Sequence, residues 1–145
     1  MKNIERCDLR QLPLELGPLV SDSQHNGFIS AVLYVSVKHI NVSEVAAQLA
    51  ENNETETEEM REVSFSLQVM RYEPGDEDQM HAHAEEEIYH IDAGEATLVT
   101  EDESIDVAPG DVVHIGPGTD HHFTDFENEF VVTVMYAPAE GSQET

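Results

Sequence analysis

The sequence predicts an all-β domain, and three observations carry that expectation. From residue 63 onward, short runs rich in β-branched and aromatic residues follow one another closely. Glycines, prolines and acidic turn residues separate these runs at regular intervals, as in a barrel or sandwich. No amphipathic crossover helix lies between them, which sets aside a parallel α/β sheet, and no internal repeat suggests a second barrel.

In chain order, residues 1–38 form an atypical N-terminal extension, and residues 39–145 form the barrel domain. The extension holds a strongly β-forming run, FISAVLYVSV (Phe28 to Val37). Ser43 then caps a short helix, SEVAAQLA, and residues 51–62, ENNETETEEMRE, form a mobile acidic loop. Strands are predicted at Val63 to Tyr72, Gln79 to His83, Glu87 to Ile91, Ala96 to Thr100 and Ser104 to Val107. Three more follow at Asp111 to Ile115, His121 to Asp125 and Phe130 to Tyr136.

Charge narrows the function classes. The chain has 31 acidic against 6 basic residues, a formal charge of −25. Such a surface repels nucleic-acid phosphates and anionic membranes, so neither is an expected partner. Self-repulsion on this scale is screened in concentrated salt, where the Debye length falls to about 3 Å at 1 M. The composition resembles proteins of an extreme halophile that keeps salt in its cytosol. The charge is also unevenly placed: residues 1–38 are electrically balanced, while the remaining acidic groups face only Arg61 and Arg71. Two readings of the extension stand side by side, a start placed upstream of a native one near KHINVSEV, and an arm that docks on the barrel or on a partner subunit. The apolar run of ten residues is shorter than the ~20 that span a bilayer. With no signal-peptide pattern, a cytoplasmic location is expected. Cys7 is the only cysteine, which excludes an internal disulfide and a thiolate metal cluster.

The chemistry-bearing residues lie in two segments. In GDEDQMHAHAEEEIYHIDAG, Gly75 to Gly94, an extended backbone would aim His81 and His83 the same way, and a short turn would return Glu87 from the next strand. In GDVVHIGPGTDHHF, Gly110 to Phe123, His121 follows a glycine-proline-glycine turn. Three imidazoles and a carboxylate suit one divalent transition metal, Fe, Mn, Ni, Cu or Zn, whereas an all-oxygen set would suit Ca or Mg.

These segments resemble the paired motifs of the cupin superfamily. Gly75, His81, His83, Glu87 and Gly94 meet every position of the first, G-x5-H-x-H-x3-E-x6-G. Gly110, Gly118 and His121 match the second, with Gly116 in place of a proline and Asp125 in place of an asparagine. Fifteen residues, Glu95 to Pro109, separate the motifs, similar to compact single-domain cupins. The resemblance covers Val63 to Pro138 well and the first sixty residues poorly. It implies a cupin-type double-stranded β-helix (jelly-roll) barrel, with His81, His83, Glu87 and His121 as metal ligands. It also implies a homodimer and a range of activities from dioxygenases, isomerases and decarboxylases to binding proteins without catalysis.

Strand alternation assigns the lining. With Glu87 inward, Tyr89 and Ile91 follow it, while Ile88 and His90 face out. With His121 inward, Phe123 is inward and His122 faces away. Tyr89 and Phe123 are therefore candidate pocket walls, with core packing as their bland alternative. His90, His114 and His122 are assigned structural, solvated or interface roles, and His25 and His39 none. In VSFSLQVMR, Phe65, Leu67 and Val69 alternate with Ser64, Ser66 and Gln68, so parity puts Arg71 on the apolar inner face, where it would pair with a substrate carboxylate. The alternation breaks at Met70 and Tyr72, which favours a salt bridge instead. The expected function is a metal-dependent oxygenase acting on a small organic molecule, with Glu87 doubling as a catalytic base. The alternative is a non-catalytic cupin that senses or carries a small ligand or a metal.

Overall fold

The structure is a computed structural model and describes residues 36–143. The expectations for Cys7, His25 and most of the Phe28–Val37 run lie outside the described residues. The elements are helix α1 (Val42–Asn52) and strands β1 (Glu56–Arg61), β2 (Ser66–Tyr72), β3 (Glu86–Ala93), β4 (Ala96–Thr100), β5 (Ser104–Val107), β6 (Val112–Ile115), β7 (His121–Thr124) and β8 (Phe130–Ala137). They form a five-stranded antiparallel sheet in the order β1-β2-β8-β3-β6 and a three-stranded one in the order β5-β4-β7. Inward side chains of both sheets meet in one core: Met70, Tyr72, Tyr89, Ile91, Phe130, Val132 and Val134 from the larger, Ala96, Leu98, Val107 and Phe123 from the smaller. This is the expected jelly-roll.

Most strands fall within a residue or two of their expected bounds, and the exceptions have physical causes. Residues 51–62 are not a mobile loop. The tract closes α1 at an αL C-cap, Asn53, and then forms β1, an edge strand paired with β2 across a bulge between Glu58 and Met60. Main-chain hydrogen bonds to β2 do not depend on side-chain polarity, and charge on an edge strand deters pairing with another chain. The helix cap is Asn41, whose side chain accepts from the Glu44 N–H at 3.0 Å, rather than Ser43. Strand β2 starts at Ser66, leaving Val63 91% exposed.

Parity in β2 is the reverse of the expectation. Met70 and Tyr72 point into the barrel core with Ser66 and Gln68 on their side of the strand. Val69 packs on the outer face against Val45, Ala46 and Leu49 of α1, with Val131 of β8. Each fully buried side chain of this second cluster contributes on the order of 1.5–3 kcal/mol. Because α1 covers the outside of β2, the strand buries side chains on both faces, and local alternation loses its meaning.

The predicted strand at Gln79 to His83 is also absent. His81 instead makes an isolated bridge with His121, its N–H donating to the His121 carbonyl at 3.1 Å and its carbonyl accepting from the His121 N–H at 2.9 Å. Strand β3 alternates as expected, with Glu87, Tyr89 and Ile91 buried. Past a bulge between Ile91 and Ala93 the chain turns at Gly94, φ 76°, where a Cβ would lie 2.2 Å from the Glu129 carbonyl oxygen. No side chain fits there.

Candidate metal centre

Three elements deliver the donors. Glu87 comes from β3 and is 1% exposed, and His121 opens β7 at 0%. His81 comes from the irregular segment that bridges to β7. One donor atom from each of these three residues lies within 4.8 Å of the others. His121 Nε2 is 3.1 Å from Glu87 Oε2 and 2.9 Å from the Tyr89 hydroxyl. His83 stands beside them, its Nε2 3.6 Å from Glu87 Oε1. The His81 and His83 rings meet edge to face at 4.9 Å, so the pair converges without the strand geometry expected to aim it.

The far side of two rings is tied to the backbone. His121 Nδ1–H donates to the Thr119 carbonyl at 2.8 Å, and His81 Nδ1–H donates to the Gln79 carbonyl at 2.6 Å. In the neutral imidazole each bond selects the tautomer whose Nε2 lone pair faces the cluster, as metal-binding histidines require. The Gly118 N–H donates to the His83 carbonyl at 2.7 Å and holds the two motif segments together.

Electrostatics inside the cluster favour its charged forms. Burial pushes the Glu87 carboxyl up, but hydrogen bonds from His121 and Tyr89 and the nearby imidazoles outweigh it and leave the carboxyl below its ordinary value. Burial pulls the His121 imidazole down, but Glu87 and the Thr119 carbonyl raise it above its ordinary value. Burial and the Glu87 charge drive the Tyr89 phenol far up, so it stays a protonated donor. Among the described residues no buried side-chain nitrogen or oxygen lacks a partner. Glu87, Tyr89 and His121 satisfy one another through hydrogen bonds, and an ion accepting the same lone pairs would replace those bonds. His81 and His121, both fixed by backbone carbonyls, with Glu87 and the neighbouring His83, are a donor set that fits a divalent transition metal.

The other expected site residues separate. Tyr89 is part of the cluster through its hydroxyl. Phe123, 1% exposed, packs edge-on behind Tyr89 at 5.0 Å and belongs to the core. Arg71 is not in the pocket: it leaves the outer side of β2, its Nη2 2.7 Å from Glu73 Oε1 and from Glu129 Oε2. The reversal of β2 parity under α1 explains its place. Two neighbours of His83 escaped sequence reasoning. Tyr136 of β8 packs edge-on against its ring at 4.8 Å, and Glu140 Oε1 is 3.8 Å from its Nδ1. Alternation in β8 would have found Tyr136, but nothing local marks Glu140, which follows the last strand. Burial raises the Glu140 carboxyl, with His83 and Gln68 opposing. A cavity of about 530 Å³ lies beside α1, lined by Ser43, Ala47, Asp92 and Glu129, and borders none of the four donors.

A family profile for the cupin domain matches residues 68–136. This segment is a cupin domain. The chain is 28% identical over 104 residues to an uncharacterized protein of Streptomyces coelicolor, covering 72% of this chain and 99% of that one. A Klebsiella pneumoniae protein with a double-stranded β-helix domain superposes with a TM-score of 0.62 at 20% identity, covering 70% of this cupin and 90% of its own chain. The DMSP lyase DddQ from Ruegeria pomeroyi is 30% identical with a TM-score of 0.51, over 58% of this cupin and 42% of the lyase.

Proposed function

We propose that this cupin is a metal-dependent enzyme whose His81, His83, Glu87 and His121 hold one divalent transition metal, with oxygenase chemistry on a small organic molecule as its activity. The observation that carries the reading is the convergence of His81, Glu87 and His121 donor atoms within 4.8 Å, two of the rings fixed by backbone carbonyls. Bound there, the ion would supply Lewis acidity and, as Fe(II), one-electron chemistry toward dioxygen.

The chain's own residues set the rest. His81 and His83 are half-buried on the more exposed side of the cluster, while Tyr89, Phe123 and Ile91, each at most 1% exposed, keep water from the rear. The Tyr89 hydroxyl keeps its proton and is placed to donate to an oxygen held among the donors. Glu87, ionised in the cluster, is assigned the base role when it releases its ligand position. Arg61 and Arg71 are the cations of the barrel segment. Arg61 is engaged by Glu58 and the Glu140 carbonyl, and Arg71 by Glu73 and Glu129. That arrangement favours a neutral or singly charged substrate over a phosphate dianion.

A second reading, a metal or small-ligand carrier without turnover, draws on the tight packing around Glu87, Tyr89 and His121, each at most 1% exposed. One experiment separates the two. Protein purified in molar salt without chelator, as the charge of −25 advises, is assayed for metal beside a His81→Ala/His121→Ala control. The Fe(II)-loaded protein is then tested for oxygen uptake with enediols, diols and thiols, and for cleavage of DMSP. Stoichiometric metal with turnover supports the enzyme, and stoichiometric metal without turnover supports the carrier. Metal in neither protein after reloading refutes both.

A further inference from the structure

His83 differs from the other two imidazoles. His81 and His121 each place Nδ1–H on the carbonyl two residues earlier in the chain. For His83 the corresponding carbonyl is that of His81, which already accepts the His121 N–H in the bridge between the motif segments. What faces His83 Nδ1 is a carboxylate oxygen, Glu140 Oε1, at 3.8 Å, while Nε2 of the same ring looks toward Glu87.

Glu140 is held there by three contacts. Its N–H donates to Ser66 Oγ at 2.9 Å, and its carbonyl accepts from Arg61 Nη2 at 2.6 Å. Its Oε2 accepts from Gln68 Nε2. Three residues on, the Gln143 N–H donates to the buried Glu85 carboxylate at 3.2 Å. Ser66 and Gln68 are the polar positions on the inward side of β2, whose other inward residues, Met70 and Tyr72, are core. Two polar side chains in that position hold a segment that follows the last strand. Glu140 also lies beyond residue 136, where the match to the cupin profile stops.

We propose that Glu140 is a positioning residue of the metal centre: its carboxylate accepts a hydrogen bond from the Nδ1–H of His83 and so presents Nε2 to the ion shared with Glu87. The proposal rests on the metal-binding reading above. The present separation is about 1 Å longer than a hydrogen bond, and the ring settles onto the carboxylate as Nε2 engages the ion. Carboxylate partners of this kind fix the ring and raise the basicity of the ligating nitrogen.

The test is Co(II) titration of chelator-treated full-length protein, read by affinity and by the visible spectrum of the bound ion. Glu140→Gln leaves both main-chain clamps in place, so the apoprotein should melt close to the parent. It should bind Co(II) about 10- to 100-fold more weakly, with a shifted spectrum. In a His83→Ala background the same substitution should change affinity less than about twofold, since the ring it acts through is gone. Gln68→Met, which keeps the charge but frees the carboxylate, should weaken binding in the same direction by a smaller factor. Parent-like affinity and spectrum in both Glu140→Gln and Gln68→Met would overturn the proposal. So would an equal loss with and without His83, which would reveal a general field effect. A parent protein that fails to bind Co(II) removes the metal centre itself, an outcome distinct from a parent that binds and a Glu140→Gln variant that matches it.

Discussion

The two halves of the donor cluster are built differently. Glu87, Tyr89 and His121 sit on regular strands at 1%, 0% and 0% exposure, bonded to one another inside the barrel. His81 and His83 ride on an irregular segment, half-buried, steadied by the Gln79 carbonyl and the Gly118 N–H, with the Glu140 carboxylate 3.8 Å from the His83 ring. The buried half is therefore part of the fold as well as of the site, while the open half holds its ligands with little help from the core. A buried polar group left unpaired costs its desolvation, whereas a solvated one finds water.

The sharpest way to break that contrast is truncation on each side. His121→Ala should abolish metal binding and also cost about 2–4 kcal/mol, because Tyr89 and Glu87 lose their partner in a dry site. His81→Ala should abolish or severely weaken metal binding at less than about 1 kcal/mol. Urea unfolding of the chelated proteins, beside elemental analysis, checks both. Equal destabilisation would show that the halves are not distinct.

A smaller effect comes from pH. In chelated protein Glu87 titrates below its unfolded value, so its contribution is present above about pH 4.3 and is lost as acid protonates the folded carboxyl. His121 titrates above its unfolded value, so its contribution is full below about pH 6.5 and is lost as pH rises through the folded value. The pair therefore adds most between those limits. Chelated protein should lose stability from neutral toward alkaline pH, and Glu87→Gln should flatten both flanks. Metal-loaded protein should gain over the same alkaline range, since ligands must be deprotonated. Thermal melts across pH in fixed salt test the opposition.

Tyr89→Phe sharpens the buried half alone. It removes one hydrogen bond and should cost about 1 kcal/mol while metal content stays near the parent's. Arg71→Gln, outside both halves, should give the smallest effect: below about 1 kcal/mol, diminishing further in molar salt, with metal content and any turnover unchanged.

Legibility followed the same division. Strand β3 could be read residue by residue because its outer side chains, Glu86, Ile88 and His90, face water, so the pattern of two carries inside and outside. The same reading failed in β2, where α1 dries the outer face and Arg71 ended on the wrong side. The acidic tract 51–62 read as a loop because β1 takes its stability from β2's backbone, which side-chain composition does not record. Asp125, in place of the motif asparagine, adopts φ 58° just past His121, a conformation that both short polar residues tolerate.

The sequence by itself determined the fold class, the convergence of His81, Glu87 and His121, and the identity of the strands that carry Glu87 and His121. Fixed spacing between turn glycines and histidines is local information, and local information survives in a linear string. Only the tertiary structure decided which face of β2 is inward, that His81 and His83 converge without a strand, and that Glu140 stands behind His83. Those outcomes depend on which distant segment covers which surface, and a partner met through folding leaves no mark in the residues beside it.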